Sequence, residues 1–190
     1  MARYDAGNTG WDIGYPAPAL TAYFEALEDK DISILVPGCG NGHEVVWLAE
    51  HDFRDVTAVD LVAAPLARIR QRTGDRIRTL QADFFDLTGR YDLIMEQTFF
   101  CALDPELREQ YVRKMHALLK PGGRLVGLLF NTEFEKEGPP FGGFEDTYRE
   151  LFSPWFDILR MEPTPLSIPP RRGRELFVEM RPKPKNGVAV

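Results

Sequence analysis

The stretch ILVPGCGNGHEVVWLAE, residues 34–50, constrains this chain more than any other. An apolar run of strand type breaks into glycines at alternating positions, Gly38, Gly40 and Gly42, and then resumes with helical periodicity. A strand feeding a helix through bare backbone opens a βα unit, where glycines let the main chain approach a ligand and aim its N–H groups at a carboxylate or phosphate. Taken alone, the loop has two readings, a ligand cradle or a plain turn. Its Gly-x-Gly-x-Gly spacing is not the Gly-x-Gly-x-x-Gly of the dinucleotide fingerprint.

The rest of the chain repeats the alternation. Hydrophobic periodicity predicts helices over 18–27, 43–51, 63–72, 105–119 and 144–152, and strands over 32–36, 55–60, 77–82, 91–96 and 124–130. The clearest helix carries Leu107, Tyr111, Met115 and Leu118 at helical spacing and is stopped by Lys120-Pro121-Gly122-Gly123. Two closing strand-like runs, 155–163 and 175–181, are joined by a Pro- and Arg-rich turn too short for a crossover helix, so they must pair antiparallel. The expected fold is α/β: a Rossmann-like, doubly wound, seven-stranded and mostly parallel sheet with a C-terminal antiparallel hairpin, unlike the six parallel strands of a dehydrogenase domain. Residues 1–190 are expected to form one domain, with 1–16 a polar arm and 182–190 a frayed tail.

Composition narrows the partners. With 29 acidic against 23 basic residues the net charge is -6, which disfavours nucleic acid and suits a small or cationic ligand. Cys39 and Cys101 are too few and too scattered for a disulfide framework or a zinc site, and the three histidines do not group with them, so no metal is expected. The N-terminus lacks the apolar core of a signal peptide and no apolar run is long enough to span a bilayer. The expectation is a reduced, cytoplasmic protein, monomeric or weakly self-associating, acting on a small molecule.

Two acids strengthen the ligand reading of the loop. Asp60 ends the second strand, close to the roughly 20-residue offset from the first glycine at which a carboxylate meets ribose hydroxyls. NAD and S-adenosylmethionine share that requirement. Asp83, just after the third strand in QADFFDL, could accept from an adenine amino group with Phe84 against the ring. Each acid alone is equally a helix cap or a solvated loop residue, but both stand at consecutive strand ends.

VPGCGNGHEV, AVD, ADFFDL, YDLIMEQTFFCALDPELREQYVRKMHALLKPGG, GPPFGG and IPPRRGRELF together resemble the thiopurine S-methyltransferase family, specifically its thiol and halide methyltransferase branch, from about residue 4 to residue 181. The resemblance implies a class I methyltransferase fold and S-adenosylmethionine as cofactor, converted to S-adenosylhomocysteine. It implies that Trp11 in the arm closes over the cofactor, and that Gly38, with Cys39 and Gly40, meets its methionine end. Asp60 with Leu61 would hold the ribose, Asp83 with Phe84 the adenine, and Gln97 would contact the cofactor from the other side. Cys39 itself reads as a small buried filler rather than a nucleophile.

Departures from the branch matter too. Relatives commonly carry a longer N-terminal segment with further Trp residues; here Tyr4 stands near that point, which implies a smaller lid. Phe130 stands where relatives present a tyrosine, and Asn131 where a proline is usual. Methyl transfer from a sulfonium is an in-line displacement that mainly needs alignment and dryness, and a thiolate or halide needs little help from a base. EQTFF replaces the Asn/Asp-Pro-Pro-Tyr segment used by many amino-group methyltransferases, so an apolar acceptor pocket is expected from Phe99, Phe100, Phe130 and Phe141 under a Tyr4 and Trp11 lid, with only one of Phe99 and Phe100 required to touch substrate. Arg171, Arg172 and Arg174 could bind an acidic group, but such a run is more often a solvated turn. Two alternatives stay open at this point, a nicotinamide-dependent oxidoreductase and a non-catalytic S-adenosylmethionine-binding protein of the same fold.

Overall fold

The computed structural model describes residues 12–184; Tyr4, Trp11 and the last six residues of the tail lie outside them. In chain order the elements are α1 (Pro18–Glu25), β1 (Ser33–Pro37), α2 (His43–Glu50), β2 (Asp55–Asp60), α3 (Ala63–Thr73), β3 (Arg78–Gln81), β4 (Tyr91–Gln97), α4 (Arg108–Leu118), β5 (Leu119–Phe130), α5 (Glu145–Phe152), β6 (Phe156–Pro163) and β7 (Glu175–Pro182). The seven strands form one sheet in the order β3-β2-β1-β4-β5-β7-β6. Pairs from β3 through β5 are parallel, while β7 runs antiparallel to both β5 and β6. The expected closing hairpin is present, paired from Phe156 opposite Pro182 to Pro163 opposite Leu176.

Both faces of the sheet are covered, and the side chains sort between them with the two-residue period of a strand. Ile34 and Val36 of β1 and Leu93 and Met95 of β4 pack with Phe24, Leu48 and Ile69 from α1, α2 and α3. Their neighbours Leu35 and Ile94 pack on the opposite face with Tyr111 and Met115 of α4 and Phe152 of α5. All of β1 is buried, as a central strand requires. Among the described residues no helix is long and apolar enough to cross a membrane.

Two elements differ from expectation. The helix predicted over 105–119 begins as a 3-10 turn, Pro105–Leu107, in which the Asp104 side chain accepts from Glu106 N, and becomes α-helical only at Arg108. β5 starts earlier than the periodicity suggests, because Leu119 already pairs with Tyr91 before the ladder resumes with Arg124 opposite Leu93. Lys120-Pro121-Gly122-Gly123 is thus an irregularity inside the ladder, with Gly122 at φ 79°, rather than a free turn.

Strand order reverses between β1, which is followed outward by β2 and β3, and β4, which is followed by β5 on the other side. The crevice beyond the carboxyl ends of β1 and β4 is the topological switch point, where open α/β sheets place their ligands.

Candidate active site

A cavity of about 640 Å³ occupies that crevice. Its wall is assembled from the chain before α1 (Asp12, Ile13, Tyr15), the glycine loop after β1, the ends of β2 and β4, the turns after β3 and β4, and the Pro139-Pro140 segment after β5.

The glycine loop is shaped by positive backbone φ at Gly38 (58°), Gly40 (51°) and Gly42 (70°), a region L side chains rarely enter. At Gly38 there is a second requirement: a Cβ there would lie 2.3 Å from Cδ2 of Phe99. The loop is tied down by Cys39 N donating to Val59 O (3.0 Å) and by Gly40 N donating to Asp60 Oδ2 (3.0 Å). Asp60 also accepts from Val62 N through Oδ1 (2.9 Å), so one carboxylate joins the loop to the start of α3. Each of its oxygens keeps a further acceptor position, which is what a ribose diol needs.

Asp83 is exposed at the rim and caps the 3-10 turn after β3 by accepting from Phe85 N (2.8 Å). Phe84 lines the cavity but is otherwise core, packed edge-on to Phe99 and tilted against Tyr111. Leu61 lines the cavity from an exposed position. Gln97 closes β4 with its side-chain Oε1 buried and without a hydrogen-bond partner. An orphan carbonyl in a cavity wall is the mark of a missing donor.

The geometry adds residues that no sequence pattern singled out. Asp12 accepts from Gly14 N (2.8 Å), from Asn41 Nδ2 and from His43 Nε2 (2.8 Å), which staples the segment before α1 onto the glycine loop. Burial alone would raise the Asp12 carboxyl, but the donors Gly14, Asn41 and His43 hold it below the ordinary range. Glu44 accepts from Ala17 N (3.1 Å) and is pushed up by burial. Thr98 has φ 57°, an outlier for a β-branched residue, at the tip of the turn after β4. Such strain is invisible to sequence periodicity, and only the adjacency of Asp12 to Trp11 hinted at the first cluster.

Three expected pocket residues are elsewhere. Phe100 is buried among Tyr111, Tyr148 and Phe152, because successive residues of the turn point opposite ways and Phe99 takes the cavity side. The ring of Phe130 is taken by Phe134, edge-on at 5.0 Å, and by the Arg171 guanidinium at 5.3 Å, and it does not line the cavity. Phe141 donates its N–H to Cys101 O (2.7 Å), and that bond presents Pro139 and Pro140 to the cavity instead. The solvated-turn reading fails for Arg171, which is 8% exposed and paired with Glu175 at 3.3 Å. Arg172 is exposed, and Arg174 stacks over Phe134; none of the three lines the cavity.

Both cysteines line the cavity and neither is an activated nucleophile. Burial pushes the Cys101 thiol to about 12, with the Glu96 carboxylate adding to the shift, and burial raises Cys39 as well.

A bare-backbone cradle, a clamped acid at the end of β2 and an unpartnered amide carbonyl opposite fit an adenosyl-amino-acid cofactor. Comparison with known proteins agrees. The family model for thiopurine S-methyltransferase matches residues 1–181. A probable thiol methyltransferase 2 of Arabidopsis thaliana is 33% identical over 180 residues, covering 90% of this chain and 79% of the relative. A thiocyanate methyltransferase 1 of Arabidopsis thaliana is 32% identical over 178 residues, covering 88% and 77%. Among solved structures, the 1,6-didemethyltoxoflavin-N1-methyltransferase of Burkholderia thailandensis, with bound 1,6-didemethyltoxoflavin and S-adenosylhomocysteine, superposes at TM-score 0.77 with 25% identity over 96% of this chain and 85% of that one. These findings favour methyl transfer over the nicotinamide and non-catalytic readings. The chain belongs to the thiopurine S-methyltransferase family and is an S-adenosylmethionine-dependent methyltransferase of small molecules.

Proposed function

We propose that the acceptor is an organic thiol with an apolar or aromatic body. The observation that carries this reading is the division of the cavity wall. Asp12, Glu44, Asp60 and Asp83 lie on the side of the glycine loop and the ends of β2 and β3, whereas Phe99, Cys101, Leu103, Leu107, Pro139 and Pro140, from the segments after β4 and β5, carry no charged side chain. An inorganic anion finds no cation in that second group, and a ring or alkyl chain finds apolar surface.

In this reading the glycine loop holds the methionine end of the cofactor, Asp60 the ribose hydroxyls, Asp83 the adenine amino group, and Phe84 with Phe85 flanks the ring. Gln97 Oε1 accepts from a donor on the bound cofactor, which satisfies its buried carbonyl. When bound, the cofactor supplies an electrophilic methyl group on a positively charged sulfur. The protein aligns the acceptor sulfur behind that methyl and keeps water away with its apolar wall. The apolar group named above includes no carboxylate or imidazole to act as base, so the acceptor gives its proton to solvent and reacts through its thiolate form, which is the nucleophile. Cys39 and Cys101, both free thiols, support a reducing and therefore cytoplasmic setting.

The test is S-adenosylhomocysteine formation by the purified protein with an aromatic thiol, a short alkyl thiol, thiocyanate and iodide in parallel. The aromatic thiol is expected to exceed iodide in kcat/KM by at least about tenfold, the scale of a single well-buried apolar group. Equal or faster turnover of iodide overturns the acceptor assignment and leaves the cofactor assignment standing.

A further inference from the structure

β4 ends in Met95-Glu96-Gln97, and the period of the strand sends Glu96 to the α4 face while its neighbours face the other way. Glu96 is 1% exposed. Its Oε1 accepts from Phe99 N (2.8 Å) and Phe100 N (2.9 Å), and its Oε2 accepts from Tyr111 OH (2.5 Å) on α4. From below, β5 makes room with a glycine: a Cβ on Gly127 would lie 2.4 Å from the Glu96 Cβ and 2.5 Å from its carbonyl oxygen. A buried carboxylate is costly, and this one is met by three donors and seated over a residue without a side chain.

The turn this carboxylate grips is the one that completes the cavity. It contains Thr98 at φ 57°, a conformation a β-branched residue keeps only when its surroundings over-determine it. It sets the Phe99 ring against Gly38 and leaves Gln97 with its orphan carbonyl in the wall. We infer that Glu96 is a positioning residue: its buried carboxylate, gripping the amides of Phe99 and Phe100 and anchored by Tyr111 above Gly127, holds Gln97, Thr98 and Phe99 in the geometry that receives cofactor and acceptor. It touches neither ligand and acts through the turn.

Burial pushes the Glu96 carboxyl up to about 7, against the lowering effect of the bonds from Tyr111, Phe100 and Phe99. The titratable groups facing it among the described residues are Tyr111 from α4 and Cys101 from the turn, while β5 offers only Gly127. Ionised, the carboxylate makes charge-assisted bonds to both amides; protonated, it holds them about half as strongly. The grip on the turn therefore weakens as pH falls through neutrality.

S-adenosylhomocysteine serves only as a probe of cavity geometry, so the measurement is its Kd by calorimetry between about pH 5.5 and 8.5 for the wild type, Tyr111→Phe and Glu96→Gln. Wild-type Kd is expected to weaken about fivefold on the acid side, a change of roughly 1 kcal/mol. In Tyr111→Phe the same step moves to higher pH, because a bond that lowers the carboxyl is gone. In Glu96→Gln the step is absent and binding stays at the weaker level at every pH. Should Glu96→Gln not fold, the displacement of the step in Tyr111→Phe decides. A Glu96→Gln protein with wild-type affinity and an unaltered profile, or a step that Tyr111→Phe does not move, overturns the assignment; absence of binding by the wild type overturns the cofactor reading itself.

Discussion

The ring of Phe99 stands where a side chain on Gly38 would have to go: a Cβ on Gly38 would lie 2.3 Å from Cδ2 of Phe99. The loop after β1 and the turn after β4 are therefore fitted to each other across the switch point, and the cavity exists because they are.

Gly38→Ala should cost about 1–2 kcal/mol of backbone strain at its φ of 58°, and it should also displace Phe99. Calorimetry should show S-adenosylhomocysteine Kd weakened at least about tenfold. Gly173→Ala is the matched control, since its φ is 74° but nothing lies within 4 Å of the added atom. It should lower Tm by a few degrees and leave Kd unchanged.

Asp60→Ala removes an acceptor shared by Gly40 N and Val62 N along with the group assigned to the ribose. Cofactor Kd should rise more than about tenfold, because hydrogen bonds to a charged group are worth roughly 1.5–3 kcal/mol each. Unaltered affinity in a folded variant removes the ribose assignment.

Phe99→Ala should raise acceptor KM by about tenfold through the lost apolar wall, while Phe130→Ala should leave acceptor KM within about twofold and act on stability. The contrast follows from Phe99 lining the cavity and Phe130 lying between Phe134 and Arg171. Steady-state kinetics on one aromatic thiol distinguishes them, and a larger KM effect at Phe130 would return Phe130 to the acceptor pocket.

Glu96 links folding to pH with a definite sign. Its carboxyl is raised by burial from 4.5 to about 7, so the folded protein holds a proton that the unfolded chain releases. Its contribution to stability is full below about pH 4.5 and is lost as pH rises through about 7. Thermal melts of the wild type and Glu96→Gln should diverge across that window, the variant gaining relative to the wild type at the alkaline end. Parallel melting curves at all pH values count against a raised carboxyl at this position.

Much of this molecule is written locally. Alternating apolar runs predict five parallel strands with their helices, and the short Pro- and Arg-rich link between 163 and 175 requires an antiparallel hairpin, because no helix fits between the runs. Gly38, Asp60, Asp83 and Gln97 stand at strand ends, and in an open sheet the strand ends converge on one crevice, so their meeting in one cavity was legible from position alone. What the sequence could not decide is where adjacent aromatics point and which polar groups find each other across the fold. Phe99 and Phe100 are identical residues side by side, and only the turn gripped by Glu96 sends one to the cavity and the other to the core. Asp12 meets Asn41 and His43, and Arg171 meets Phe130, through contacts that no local periodicity encodes. Period and strand-end position belong to the chain itself, whereas burial, backbone strain and the partners of a buried charge arise only when distant segments are packed against one another.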